Sequence, residues 1–135
     1  MNICFYTGFS VSPTVGGTER ISDTLARSLT KLYGCKCYSI YSEEARWGGI
    51  SDAFVDSRKV LNGELDKITT LLKKWNIDVL INQSIYAYSS VLAEAAKRVG
   101  AKYVFCSHGR PGWEYYSVSF KSLYRNVGQI GRAHV

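Results

Sequence analysis

Val11-Ser12-Pro13-Thr14-Val15-Gly16-Gly17-Thr18-Glu19-Arg20 joins a short apolar run, Ile3-Cys4-Phe5-Tyr6, to a segment whose apolar positions Ile21, Leu25, Leu29 and Leu32 share one helical stripe. A strand that turns through a glycine pair into a helix is the opening unit of an α/β protein. Adjacent glycines let backbone come close to a ligand, and the first turn of a helix offers free N–H groups and a positive dipole end. The stretch therefore places a phosphate or sugar at the backbone amides of Gly16, Gly17 and Thr18. Arg20, set against the dipole, would be balanced by the bound anion, whereas Glu19 simply suits the helix start.

Outward from this loop the chain alternates β-rich runs with segments of helical period. Residues 2–6 form the first expected strand, Thr18 caps a helix stopped by Gly34, and residues 36–41 form the second strand. Residues 42–52, with Trp47-Gly48-Gly49, have the composition of an irregular loop, and residues 53–55 suit a short third strand. Asn62 caps a helix carrying Leu65, Ile68, Leu71, Leu72 and Trp75, with Lys73 and Lys74 at its negative end. A strand over residues 79–81, a helix from Ser84 to Val99 and a strand over residues 102–106 follow. Phe120, Leu123, Tyr124 and Val127 recur at helical spacing near the end.

Strands apolar on both faces and separated by helices imply a Rossmann-like, three-layer parallel sheet with helices on both faces, in a single domain. Residues 1–116 form this unit, residues 117–128 an additional helix, and residues 129–135 a disordered tail. Ligands in such sheets sit beyond the carboxyl ends of the strands, so residues 7–17, 82–84 and 107–116 should share one face.

At 135 residues, with 46% hydrophobic and 21% charged residues, the chain has the composition of one globular domain. No apolar run is long enough to cross a bilayer and the amino end lacks a signal-peptide pattern, so a cytoplasmic location is expected. The four cysteines suit reduced, buried thiols, since Cys4 and Cys106 fall in strands and Cys35-Lys36-Cys37 is too tightly spaced for zinc or thioredoxin chemistry. The net charge of +6 includes no long basic block, which disfavours nucleic acid. From Arg110 onward four basic residues face one acid, which would suit a peripheral contact with an anionic membrane face.

The second candidate cluster is Ser107-His108-Gly109-Arg110-Pro111-Gly112-Trp113-Glu114-Tyr115-Tyr116, after the fifth strand. His108 can hydrogen-bond a sugar hydroxyl or phosphate near neutral pH, Gly109 and Arg110 can meet phosphate, and the aromatics can stack on a ring. No metal site or cofactor is expected. The spacing of Gly8, Gly16 and Gly17 fits neither a dinucleotide nor a P-loop signature, and no nucleophile motif is present.

The loop ending Gly16-Gly17-Thr18-Glu19-Arg20, the helical Leu25-Ala26-Arg27-Ser28-Leu29 and the late strand leading to His108 together resemble the N-terminal domain of GT-B glycosyltransferases, in particular family 4. That resemblance implies the acceptor-side half of a retaining hexosyltransferase. His108 would be catalytic, near the transferred sugar, and Gly16, Gly17, Thr18, Arg20, Gly109 and Arg110 would bind substrate. The implied partners are a nucleotide-sugar donor, held mostly by a second domain, and a glycan or lipid-linked acceptor at the inner membrane face, in polysaccharide biosynthesis. The family's E-x7-E glutamate pair belongs to that second domain and has no counterpart here, so this chain alone should be inactive. The alternative is a free-standing flavodoxin-like binding or regulatory domain with no catalysis, in which the glycine pair caps a helix and His108 is incidental.

Overall fold

The computed structural model describes residues 1–14, 16–61, 64–84 and 89–106. Within them lie β1 (Asn2–Phe9), α1 (Gly17–Tyr33), β2 (Lys36–Glu43), β3 (Asp56–Lys59), α2 (Leu65–Lys74), β4 (Val79–Asn82), α3 (Ser89–Val99) and β5 (Lys102–Phe105). The strands form one parallel sheet in the order β3-β2-β1-β4-β5. The expected Rossmann-like α/β fold, with helices on both faces, is therefore present.

Side-chain alternation divides the core in two. On one face Ile3, Phe5, Cys37 and Ile81 pack with Ala26, Leu25 and Leu29 of α1. On the other, Cys4, Tyr38, Ile40 and Leu80 meet Ile68 and Leu72 of α2 and Leu92 of α3. Trp75, which closes α2, stacks on Tyr38 with ring centroids 4.9 Å apart, and its indole N–H donates to Asp56 at 3.3 Å.

Several boundaries differ from the sequence expectation. β1 and β2 run past residues 6 and 41, because their ladder continues to the Phe9–Glu43 pair. α1 starts before Thr18, with Gly16 as its N-cap, and no side chain caps it by a hydrogen bond. The sheet-facing stripe of α1 is Ser22 and Ala26, flanked by Glu19 and Asp23, while Ile21 and Leu32 are exposed. Small residues let the helix lie close to the sheet, so the apolar stripe read from periodicity is rotated to its flank.

The third strand lies at Asp56–Lys59 rather than 53–55, and Ala53 and Phe54 instead cover the α1 face, where Phe54 meets Phe5 edge-on at 5.7 Å. α2 begins at Leu65 and α3 at Ser89. Ser84, the expected start of this last helix, is instead a bend held by Asn82, while the cap at Asn62 and residues 85–88 lie outside the described residues, as do residues 117–128 and 129–135.

No helix connects β2 to β3. The connecting loop is pinned to α1 by Asp23, whose buried carboxylate accepts hydrogen bonds from the Ser51 hydroxyl and from Arg27 Nε at 3.1 Å. Arg27 also pairs with Asp52 at 2.6 Å, but both partners are largely exposed and such pairs add little stability.

In the middle of β2, Ser39 is fully buried, and among the described residues its hydroxyl has no hydrogen-bond partner. An unsatisfied buried hydroxyl costs stability that a methyl group does not. Ser39→Ala should therefore raise the unfolding free energy by about 1 kcal/mol in urea denaturation; a loss of that size would mean the hydroxyl is bonded.

Candidate functional site

After β1 the chain steps left to β2 and β3, and after α2 it returns to the other side of β1 as β4. The carboxyl ends of β1 and β4 thus flank a topological switch point, where connections diverge and leave a crevice. Pairing across it runs to Tyr6–Asn82 and is extended by the Gln83 N–H donating to the Tyr6 carbonyl at 2.9 Å.

Buried polar side chains collect at this edge, where Thr7, Ser10, Ser12, Asn82 and Gln83 are each no more than 7% exposed. A buried polar group must find a partner. Asn82 donates through Nδ2 to Tyr103 Oη at 3.0 Å and Ser89 Oγ at 3.4 Å, while Oδ1 accepts from Ser84 N and Oγ at 3.0 and 2.8 Å. Ser89 and Tyr103 hydroxyls close the set at 2.8 Å. This network ties the end of β4 to the start of α3 and to β5. On the β2 side, Ser10 Oγ accepts the Ala45 N–H at 3.0 Å and the Val11 carbonyl accepts the Ser51 N–H at 3.1 Å. The β2–β3 loop therefore walls one side of the β1–α1 loop.

The start of α1 holds the decisive feature. Gly16 has φ 72°, a left-handed value that favours glycine. Glu19, three residues on at the position where an acid reaches back toward an N-cap, is only 6% exposed. Its Oε1 accepts the Phe9 N–H at 3.3 Å, and a Cβ added to Gly16 would overlap Oε2. The carboxylate is thus wedged between the end of β1 and the first turn of α1, the gap in which a phosphate sits in doubly wound folds. At an effective dielectric near 20, two unit charges about 4 Å apart repel by roughly 4 kcal/mol, so carboxylate and phosphate compete for the gap.

The sequence-derived site residues part company here. Gly16, Gly17 and Thr18 lie together at the helix start, with Gly16 and Gly17 exposed and Thr18 half-buried. Thr18 does not cap α1, because it is already inside the helix. Arg20 is exposed and, with Gly17, Ile21 and Leu25, lines an open groove of about 590 Å³ along α1. His108, Gly109 and Arg110 lie outside the described residues. Sequence reasoning missed the burial of Glu19 and the network of Asn82; the signal was an amide closing the apolar run Val79-Leu80-Ile81.

Groups with nucleophilic potential are subdued. Burial pushes the thiols of Cys4 and Cys37 up, and likewise Cys106 just past β5, so they stay protonated and poorly reactive near neutral pH. Among the described residues no group of three or more His, Cys, Asp and Glu could hold a metal ion, and no helix is long and apolar enough to cross a membrane.

No protein-family model and no curated protein matches the chain. Among solved structures it is similar to a dodecameric FMN-dependent UbiX-like decarboxylase from Escherichia coli O157:H7. The TM-score is 0.59 and the identity 13%, over 96% of this chain and 75% of the other. Likeness at that identity speaks for the fold alone. It nevertheless corrects the glycosyltransferase reading: the neighbour is a flavoprotein of doubly wound architecture, not a GT-B enzyme, and no family match supports the short motifs. The family 4 assignment, the sugar-transfer function and the link to polysaccharide biosynthesis are set aside, and the flavodoxin-like alternative is favoured.

Two consequences can be measured. Gly16→Ala should cost about 1 to 2 kcal/mol, from left-handed strain and the overlap with Glu19. Gly17→Ala, whose Cβ enters open space in a helical residue, should leave stability unchanged or raise it by up to about 1 kcal/mol in the same thermal melts. Equal losses would show that Glu19 is not against Gly16.

The second concerns alkali. Burial is the main cause that raises the Tyr103 phenol above its ordinary value near 10, outweighing the bonds from Ser89 and Asn82 that lower it. A raised folded value gives stability that is complete below the unfolded value and lost as pH rises toward the folded one. Unfolding free energy should fall above about pH 10, and Tyr103→Phe should flatten that fall. An unaltered slope would place the titration elsewhere.

Proposed function

We propose that the chain acts as a flavodoxin-like, doubly wound binding domain that takes a small molecule at the β1/β4 switch point without transforming it. The observation that carries this reading is the concentration of buried polar side chains at that one edge: Thr7, Ser10 and Ser12 following β1, and Asn82 and Gln83 closing β4. They hold the surrounding loops in fixed positions, as a preorganised site requires. The raised, protonated thiols of Cys4, Cys37 and Cys106 favour binding over covalent catalysis.

FMN, on which the structural neighbour depends by its description, joins a flat ring and a hydroxylated chain to a phosphate. Phe9, 46% exposed at the carboxyl end of β1, offers a ring face for stacking. The phosphate does not fit its customary place at the start of α1, because the Glu19 carboxylate lies there.

Riboflavin and adenosine carry a ring and hydroxyls but no phosphate, and each can be titrated into the protein while backbone amide resonances are followed. Saturable shifts at Ser10, Ser12, Gln83 and Ser84 are expected with at least one of them. Shifts confined to other surfaces, or none with either compound, would refute the site.

A further inference from the structure

A parallel sheet buries both of its faces, and the two faces of this one are unequally covered. α2 and α3 lie on one face, whereas among the described residues α1 is the only helix on the other, where it sits over β1 and β2. Through Asp23 and Arg27 one flank of α1 meets the β2–β3 loop, so the opposite flank, with Ile21, Leu25, Leu29 and Leu32, is turned toward β4. There β4, β5 and the residue after β5 present Val79, Ile81, Val104 and Cys106 to the same face, and all but Ile81 are only half-buried. Leu25 and Leu29 are also half-buried, while Ile21 and Leu32 are 50% and 69% exposed. Helix flank and sheet face form an apolar corner. Two strands about 4.8 Å apart offer the width that one helix of roughly 10 Å diameter covers.

The chain itself leads out of this corner. Cys106, the last described residue, belongs to it, and residues 107–135 follow. Among these, Phe120, Leu123, Tyr124 and Val127 recur at i, i+3, i+4 and i+7, and Lys121, Ser122 and Arg125 fall on the opposite side. A ten-residue helix is about 15 Å long, close to the roughly 13 Å of a four-residue strand such as β4 or β5. Residues 107–117 reach up to about 35 Å, ample to carry the chain from the end of β5 to a layer about 10 Å above the sheet.

We infer that residues 118–127 dock as a helix in the corner between α1 and the β4–β5 face, with Phe120, Leu123, Tyr124 and Val127 inward and Lys121 and Arg125 in solvent. The inference does not depend on a ligand at the switch point. It makes this segment the second helix of the α1 layer, and it withdraws the apolar side of the segment from a membrane or a second protein.

Two measurements on the full chain test it. In the wild type, the methyl groups of Leu25, Val79 and Val104 should show nuclear Overhauser contacts to the rings of Phe120 and Tyr124; their absence overturns the inference whatever any variant does. With samples mixed from labelled and unlabelled protein, contacts that arise only between chains mean that a second copy fills the corner, and they overturn it too. The second measurement is the rate at which a thiol reagent modifies Cys106. Leu123→Asp should raise that rate by at least about tenfold while Cys4 and Cys37 stay unmodified. An unchanged rate in a folded variant overturns the inference. So does a wild-type rate that falls when vesicles of anionic phospholipid are added, since the corner would then be free to meet a membrane.

Discussion

β1 is hydrogen-bonded along both edges, to β2 over its whole length and to β4 over its central residues, and it buries side chains on both faces. Every other element is placed relative to it. The parallel pairing obliges the chain to return each time by a crossover, and the handedness of crossovers puts α1 on one face and α2 and α3 on the other. Reversal of direction beside β1 also creates the crevice. The same constraint that organises the core thus fixes where a ligand can enter.

The parts of this plan that follow from one chain segment at a time were legible in the sequence. Ile3 to Tyr6, Val79 to Ile81 and the runs flanking Gly34 and Gly100 announce their strands and helices by period and punctuation. What depends on a neighbour was not legible. The rotation of α1, which turns Ser22 and Ala26 inward and leaves Ile21 exposed, is set by how near the helix comes to the sheet. β3 lies beyond Ala53 and Phe54 because these two residues serve as a cover for Phe5 rather than as a strand. Asn82 reads from the sequence as the start of a loop on the ligand face, and its role in tying Tyr103 to Ser89 depends on residues far along the chain.

The glycine pair lies at the strand-to-helix turn, as the sequence implies, and there the Glu19 carboxylate accepts the Phe9 N–H. The resemblance rests on the loop ending Gly16-Gly17-Thr18-Glu19-Arg20, the helical Leu25-Ala26-Arg27-Ser28-Leu29 and the strand leading to His108, whereas the side chain that fills the turn is the acid after the glycines. Doubly wound sheets carry many unrelated functions, and only the site distinguishes them.

The loop that replaces a helix between β2 and β3 carries a consequence for motion. Its far end is held by Ala53 and Phe54, which cover Phe5, and its middle by the buried Asp23 carboxylate and backbone contacts along Ser10 and Val11, whereas Trp47 and Ile50 between these anchors are exposed. Stretches with so little apolar burial are expected to open at a fraction of the global unfolding free energy. Residues 46–50, beside the β1–α1 turn, are therefore where the wall of the crevice costs least to move.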